Sequence, residues 1–249
     1  SEELQEVRHR LTRAYVDRGY INSGVVIPDQ KVEEGVVTLR AVEGRISGIR
    51  IAGNDRLRSG YIRGRISDFD DSPLNLNRLE KDVQRLHADP LIRRVNARVR
   101  PGLEPGQAEL DVEIEEARPY RLGLRFANDR PPSVGSLLLE VYGEHSNLTG
   151  WGDSLSAYYG ITEGTDEMGA TYRFPLTAYD TTLELSARAN EVTVVEEPFD
   201  EIDITSESDT YRIALEQPFT WGPGRSFVLG LAGERSEEHT SELQSPSAI

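Results

Sequence analysis

The sequence has no cysteine and one methionine among its 249 residues. Disulfide bonds, thiolate metal sites and cysteine nucleophiles are therefore excluded. It also lacks a run of about 18 apolar residues, the length that a transmembrane helix requires. A membrane-spanning sheet would escape that criterion, because its strands alternate in polarity and need no long apolar run.

Positive charge is scarce in the second half of the chain. Residues 1–118 carry 20 Lys and Arg against 21 Asp and Glu, whereas residues 119–249 carry 8 against 22. Phosphate contacts require Lys and Arg, so the acidic half argues against a nucleic-acid partner. The change of character near Arg118 predicts a domain boundary there.

The sequence lacks residue patterns typical of catalysis or metal binding. The four histidines lack the spacing of a zinc site, and Ser154 lacks the G-x-S-x-G elbow of a nucleophilic serine. Asp68, Asp70 and Asp71 lack the glycine and glutamate of a calcium loop. We therefore expect neither an enzyme nor a cofactor or metal site.

The first 44 residues have the pattern of a helix followed by two strands. Val7 and Leu11 lie on one face of an amphipathic helix, and Gly19 suits the position just after its end. Residues 24–28 and 36–42 each predict a strand.

The pattern then restarts with more elements. Asn77, with Glu80 three residues later, resembles a capping box at the start of its second helix. The first unit shows only the last three of the five elements, so it predicts a repeat that is truncated at its start. The five elements are strand, helix, helix, strand and strand, over residues 46–52, 57–66, 76–86, 95–99 and 110–114.

Beyond Pro119 the helical patterns vanish and about seven segments of alternating polarity follow. Strands of about 10 residues with aromatic residues near their ends suit a transmembrane β-barrel. A soluble β-sandwich has similar spacing, and periodicity alone leaves both open. In a barrel, the acidic segment 191–209 would be a long outward-facing loop. Such a loop would bridge divalent cations to lipopolysaccharide, repel acidic partners or simply be solvated.

Several motifs resemble one family in the right order. Residues 19–28 (GYINSGVVIP) look like the end of a first polypeptide-transport-associated (POTRA) domain, and residues 76–90, 99–106 and 110–114 look like a second one. Residues 147–153 (NLTGWGD) and 172–176 (YRFPL) are similar to early barrel hairpins. The family is that of the two-partner secretion transporters, which is also called the hemolysin activator or filamentous hemagglutinin transporter family.

The resemblance implies a fold class and a domain order. It implies α+β POTRA domains of order β-α-α-β-β, followed by an all-β, partial antiparallel transmembrane β-barrel in the outer membrane. The expected divisions are a partial first POTRA domain (1–44), a second POTRA domain (45–118) and the first barrel strands (119–234). The family's barrel has many more strands than seven, so the chain is expected to be a fragment.

The resemblance also implies a function. Periplasmic POTRA domains would bind an unfolded secreted partner protein, and the barrel, in contact with outer-membrane lipid, would export it. An outer-membrane assembly factor and a soluble periplasmic β-rich binding protein are the alternatives.

An extended partner can add a strand to an exposed sheet edge, beside apolar side chains. The alternative is that the candidate side chains are ordinary core residues. The candidates are Leu11, Tyr15, Val25 and Ile27 in the first unit, and Val83, Leu86, Ile92 and Val95 in the second.

The last segment differs from the rest. Residues 235–245 resemble the conceptual translation of a common sequencing adapter, and they show no strand pattern continuous with residues 227–231. Residues 235–249 are therefore expected to be a non-native tail.

The repeat predicts independent folding. Residues 46–116 should form a stable soluble domain when expressed alone, and the remainder should aggregate, because its exposed apolar alternation lacks a lipid environment. Solubility and urea unfolding of the two pieces check this. Cooperative unfolding of the whole chain as one monomeric unit would contradict it.

Overall fold

The computed structural model describes residues 2–32, 35–66, 72–104, 106–196, 204–220 and 226–242. The chain divides into two compact units, Ser1–Ala117 and Arg118–Ile249. Among the described residues, none of the helices has the length and apolarity needed to cross a membrane.

The first unit begins with helix α1 (Glu2–Val16) and the antiparallel strands β1 (Gly24–Val26) and β2 (Arg40–Val42). Strand β2 is shorter than the segment 36–42 that the sequence predicts. The reason is that a side chain takes the backbone hydrogen bonds of Thr38. The Gln30 amide oxygen accepts from the Thr38 N–H (2.7 Å), and the Gln30 amide nitrogen donates to the Thr38 carbonyl (2.8 Å).

The end of α1 is set by Gly19, as predicted. Gly19 has a φ of 91°, which is the left-handed region that favours glycine. The N–H of Gly19 donates to the Val16 carbonyl, and the N–H of Tyr20 donates to the Tyr15 carbonyl. These two bonds form a Schellman motif, which satisfies carbonyls that the helix end leaves free.

The second part of this unit confirms the predicted β-α-α-β-β order. Its sheet has the strand order β3-β5-β4, in which β3 is parallel and β4 antiparallel to β5. The elements are β3 (Arg45–Ala52), α2 (Ser59–Arg65), α3 (Leu76–His87), β4 (Ile92–Pro101) and β5 (Gln107–Glu116).

The core lies between the three-stranded sheet and helices α2 and α3. Alternate residues of β5 point into it, and Leu110 and Val112 are buried there beside Ile62 and Leu86. Burying each such side chain contributes roughly 1.5–3 kcal/mol. The core therefore fixes which face of the sheet meets the helices.

The capping residue of α3 is Asn75, so the predicted box at Asn77 is wrong. The Oδ1 of Asn75 accepts from the N–H groups of Asn77 (3.0 Å) and Arg78 (3.3 Å). The helix starts at Leu76, one residue before the predicted cap. Asn77 already has helical geometry and cannot serve as the cap.

The Glu116 carboxylate, at the end of β5, binds the loop that precedes α2. Glu116 accepts from the backbone N–H groups of Arg56 (2.8 Å) and Leu57 (2.7 Å), and from Arg56 Nε (2.7 Å). Arg56 also donates to the carbonyl of Ala117. The loop before α2 is thereby tied to the last strand of the unit.

The second unit is a single antiparallel sheet in which strands adjacent in sequence are paired, in the order β12 to β6. In the described part of the chain, β6 and β12 do not pair with each other, and the sheet is open. Its strands are β6 (Tyr120–Ala127), β7 (Leu138–Ser146), β8 (Ser154–Ile161), β9 (Thr165–Pro175), β10 (Thr182–Thr193), β11 (Ile204–Thr220) and β12 (Ser226–Glu242).

The two faces of this sheet differ in polarity. On one face Leu122, Leu124 and Phe126 of β6 are 79%, 64% and 76% exposed, and the apolar alternation continues across the neighbouring strands. On the other face, Glu184 is buried between Arg173 (2.8 Å) and Arg212 (3.1 Å). An apolar outer and a polar inner face are typical of a membrane-spanning sheet.

The turn between β7 and β8 is built on Asp153. This carboxylate is fully buried and accepts from the Thr149 N–H (2.9 Å), the Thr149 hydroxyl (2.8 Å) and the Tyr172 hydroxyl (3.0 Å). The aspartate of the NLTGWGD motif therefore stabilises its own turn and connects that turn to strand β9.

Two expectations about irregular segments need correction. Strand β12 continues to Glu242, because β11 begins at Ile204 and offers backbone partners to residues 235–242 whatever their side chains. The absence of a strand there was wrongly expected, and the non-native origin of residues 235–249 stays a prediction. The acidic segment is also less loop than expected, since Glu191 and Glu207 are paired; its tip, residues 197–203, lies outside the described residues.

Gly53 is a position that only glycine can fill. Its φ is 80°, and a Cβ there would lie 2.0 Å from the Ile114 carbonyl oxygen. Gly53→Ala should lower the free energy of unfolding of the first unit by about 1–3 kcal/mol. Gly48→Ala is the matched control in the same strand region, since a Cβ there meets nothing within 4 Å. Equal stability of the two variants in guanidinium titration would contradict the assignment.

Glu116 makes the first unit sensitive to acid. Burial raises the pKa of Glu116, but the N–H groups of Leu57 and Arg56 and the Arg56 guanidinium lower it more, so the pKa lies below its usual value. The resulting stabilisation is present above the unfolded-state pKa of about 4.3 and is lost as the pH falls through the lower folded-state pKa.

Glu116→Gln should therefore lower stability at pH 7 by about 1–3 kcal/mol and flatten the loss of stability in acid. Hydrogen exchange of the Leu110 and Val112 amides between pH 3 and 7 measures this. The same acid dependence in the variant and in the original chain would exclude Glu116 as its source.

Candidate docking surface for an extended chain

The three-stranded sheet has two edge strands, β3 and β4. In the described ranges, neither outer edge pairs with another strand. Strand β3 has an irregularity between Ile46 and Gly48, which leaves five regular residues, Gly48 to Ala52. Strand β4 has one between Ile92 and Arg94, but its eight residues 94–101 then run regularly. Strand β4 is therefore the better template for an added strand.

The side chains of β4 that point toward the helices are apolar. Ala97 and Val99 are partly buried against the core, as is Val83 on α3, which packs on β4. We call residues 94–101 together with Val83 the β4 edge surface. An added strand would pair with its backbone and place alternate side chains near these three apolar groups.

The opposite face of β4 is basic. Arg94, Arg98 and Arg100 are exposed there. Arg100 is ion-paired with Asp111 of β5, and Arg98 lies opposite Asp111 in the strand register. The β4 edge surface therefore combines an apolar side with a positive side, which favours a strand that alternates apolar and acidic residues.

The candidates in the second repeat, residues 45–118, prove to be mostly core residues. Leu86 is 0%, Ile92 5% and Val95 8% exposed, and only Val83 keeps appreciable surface. Side chains this buried cannot contact a partner unless the domain opens. Sequence reasoning missed Ala97 and Val99 as candidates, although their alternation with arginines carried the signal.

The candidates in the first repeat, residues 1–44, are more accessible. Leu11 is 43% exposed on α1, and Tyr15 and Ile27 are half-buried. Val25 is buried, and its N–H donates to the Thr12 hydroxyl (3.1 Å), which ties β1 to α1. Leu11, Tyr15 and Ile27, which we call the α1 surface, can therefore be contacted directly. A binding role for any of the eight residues stays a prediction.

Comparisons with known proteins agree with this arrangement. Residues 1–44 match the family model described as "POTRA domain, ShlB-type". The chain is 24% identical over 243 residues to the outer membrane transporter CdiB of Dickeya dadantii. This confirms the resemblance to two-partner secretion transporters.

A second relative matches a shorter stretch, and both matches cover less than half of the relative's length. The heme/hemopexin transporter protein HuxB of Haemophilus influenzae is 24% identical over 159 residues, 61% of this chain and 27% of that protein. The match to CdiB of Dickeya dadantii covers 94% of this chain and 42% of that protein. The chain therefore spans about two-fifths or less of the length of these curated relatives.

Solved structures show the same fold. CdiB from Escherichia coli has a TM-score of 0.66 at 20% identity and covers 97% of this chain and 46% of its own. BamA from Haemophilus ducreyi lacking POTRA domains 1–3 has a TM-score of 0.63 at 16% identity, with coverages of 96% and 45%. The predicted fold class, POTRA-type domains followed by a partial barrel, is confirmed, and the relatives' names confirm the outer-membrane location.

Proposed function

We propose that the chain is part of an outer-membrane transporter that binds a secreted protein through its periplasmic POTRA domains and exports it through the barrel. The observation that supports this best is the co-occurrence, in one chain, of a docking unit with an open strand edge and a sheet with one exposed apolar face. The relatives CdiB and HuxB are named as transporters, and none of those described above is named as an enzyme. We therefore propose a non-enzymatic role.

The proposed division of labour follows the domain order. Residues 1–44 form a partial first POTRA domain, residues 45–118 a second, and residues 119–234 the opening strands of the barrel. The partner would arrive unfolded and pair with the β4 edge surface as an added strand. The apolar face of the large sheet would contact lipid, and its polar face would line the export path.

An outer-membrane assembly factor is the second candidate. The BamA match has a TM-score of 0.63 at 16% identity. It therefore shows a shared fold and does not distinguish assembly from secretion. The ShlB-type model over residues 1–44 and the curated relatives favour secretion. Three or more POTRA units in the whole protein would favour assembly.

A soluble periplasmic binding protein is the third candidate. The exposed apolar face at Leu122, Leu124 and Phe126 argues against it, because soluble proteins rarely expose such a surface. Expression of the whole protein followed by membrane fractionation discriminates. Recovery in the soluble fraction without detergent would refute both membrane functions.

The charge of the β4 edge surface predicts the kind of strand it binds. A peptide with the sequence of residues 107–116, which alternates acidic and apolar residues, should bind the full chain in detergent micelles. The same peptide with each acidic residue replaced by lysine should bind less tightly. Fluorescence anisotropy measures both affinities.

Arg98→Glu should weaken binding of the acidic peptide roughly three- to tenfold, because it replaces an attractive cross-strand pair with a repulsive one. Arg63→Glu is the charge-matched control, since Arg63 is exposed on α2, away from the β4 edge. If Arg98→Glu and Arg63→Glu have the same effect, the partner does not add to β4.

A further inference from the structure

The end of α1 meets the beginning of α3 across the boundary between the two repeats of the first unit. The Leu76 N–H donates to the Gly19 carbonyl (2.8 Å), and the Asn75 side-chain amide donates to the Arg18 carbonyl (3.0 Å). Helices leave their last carbonyls and first N–H groups without partners inside the helix. Here the first N–H group of α3 pairs with a carbonyl just beyond the end of α1, and the Asn75 side chain pairs with the carbonyl of the preceding residue, Arg18.

The contact is also electrostatically favourable. The C-terminal end of a helix carries a partial negative charge and the N-terminal end a partial positive one, each about half an elementary charge. Placing the end of α1 against the start of α3 brings opposite partial charges together.

Asn75 serves both sides of this contact. Its Oδ1 caps α3 by accepting from Asn77 and Arg78, while its Nδ2 donates to Arg18 of the first repeat. Asparagine has a short side chain that carries both a carbonyl acceptor and an NH₂ donor. Serine or aspartate would supply the cap but not the same donor.

Gly19 allows the close approach. A Cβ at Gly19 would lie 2.8 Å from Asn77 Nδ2 and 3.0 Å from Asn75 Oδ1, and the φ of Gly19 is 91°. Gly19 therefore both ends α1 and leaves room for Asn75 and Asn77 of the next repeat.

A second set of contacts involves Gly44, the last residue of the first repeat. The Leu74 N–H donates to the Gly44 carbonyl (2.7 Å), and the Gly44 N–H donates to the buried Ser23 hydroxyl (2.9 Å). Asn22 Nδ2 donates to the Gly106 carbonyl (3.3 Å). The Leu74 and Leu76 N–H groups, two residues apart, thus both donate to carbonyls of the first repeat.

We propose that Asn75 is a positioning residue that locks the α1–β1–β2 segment onto the following domain in one orientation. The α1 surface and the β4 edge surface are then held at a fixed separation. For the proposed function, on which this consequence rests, an extended partner would meet a preorganised pair of sites and lose less entropy on binding. The orientation itself involves only this chain and is measured without a partner.

The absence of cysteine makes a distance measurement straightforward. Spin labels on Gln5→Cys of α1 and Gln84→Cys of α3, both exposed positions, report the separation of the repeats in the full chain in detergent micelles. The original chain should give a single narrow distance distribution. Asn75→Asp keeps the capping oxygen but removes the donor to Arg18, so it should broaden the distribution while helix content stays unchanged.

Asn75→Ala removes the cap and the donor together, so it should broaden the distribution and also destabilise α3. The Leu79 N–H, which donates to the Asn75 backbone carbonyl, should exchange at the same rate in Asn75→Asp as in the original chain. Exchange of the Leu76 N–H should accelerate at least tenfold in Asn75→Asp.

Three outcomes overturn the proposal. The first is a broad distance distribution in the original chain, and the second is the same narrow distribution in both Asn75 variants. The third concerns an amide of the original chain: Leu76 is the first residue of α3, so its N–H has no partner within the helix. If that amide exchanges as fast as an unstructured one in the original chain, the contact with Gly19 does not persist.

Discussion

The pairing of backbone N–H and C=O groups between strands is the constraint on which both units depend. In the large sheet every strand from β7 to β11 is paired on both sides, and the pairing carries β12 through residues whose side chains predict no strand. In the three-stranded sheet the same constraint leaves an outer edge on β4. An open edge is a hazard in a free protein, and it is the feature that an extended partner can use.

The same alternation of polarity has opposite consequences in the two units. In β5 the apolar set, including Leu110 and Val112, is covered by α2 and α3 and forms a core. No helix among the described residues covers the apolar set of β6, including Leu122 and Phe126, and this set stays exposed. One local pattern therefore yields a buried core in the first unit and an exposed apolar face in the second, according to whether helices pack on the sheet.

The three strands of the small sheet also differ in charge. Strand β5 carries acidic residues on the face away from the helices, and the flanking strands carry arginines such as Arg50 and Arg98. The acidic side chains of β5 thus have arginines of β3 on one side and arginines of β4 on the other. Since β4 has one neighbour in the described residues, its arginines retain the capacity to attract a second acidic strand.

The sequence by itself determined the element order, the change of character at Arg118, the Gly19 helix stop and the resemblance to secretion transporters. These follow from local periodicity, turn chemistry and motif order. The tertiary structure alone decided the rest: that Leu86, Ile92 and Val95 are core residues, that Asn75 caps α3, and that β12 passes residue 235. Burial, helix-end contacts and strand pairing depend on partners distant in sequence, such as Gly19 for Leu76 and Ile204 for Glu242, and no local pattern specifies them.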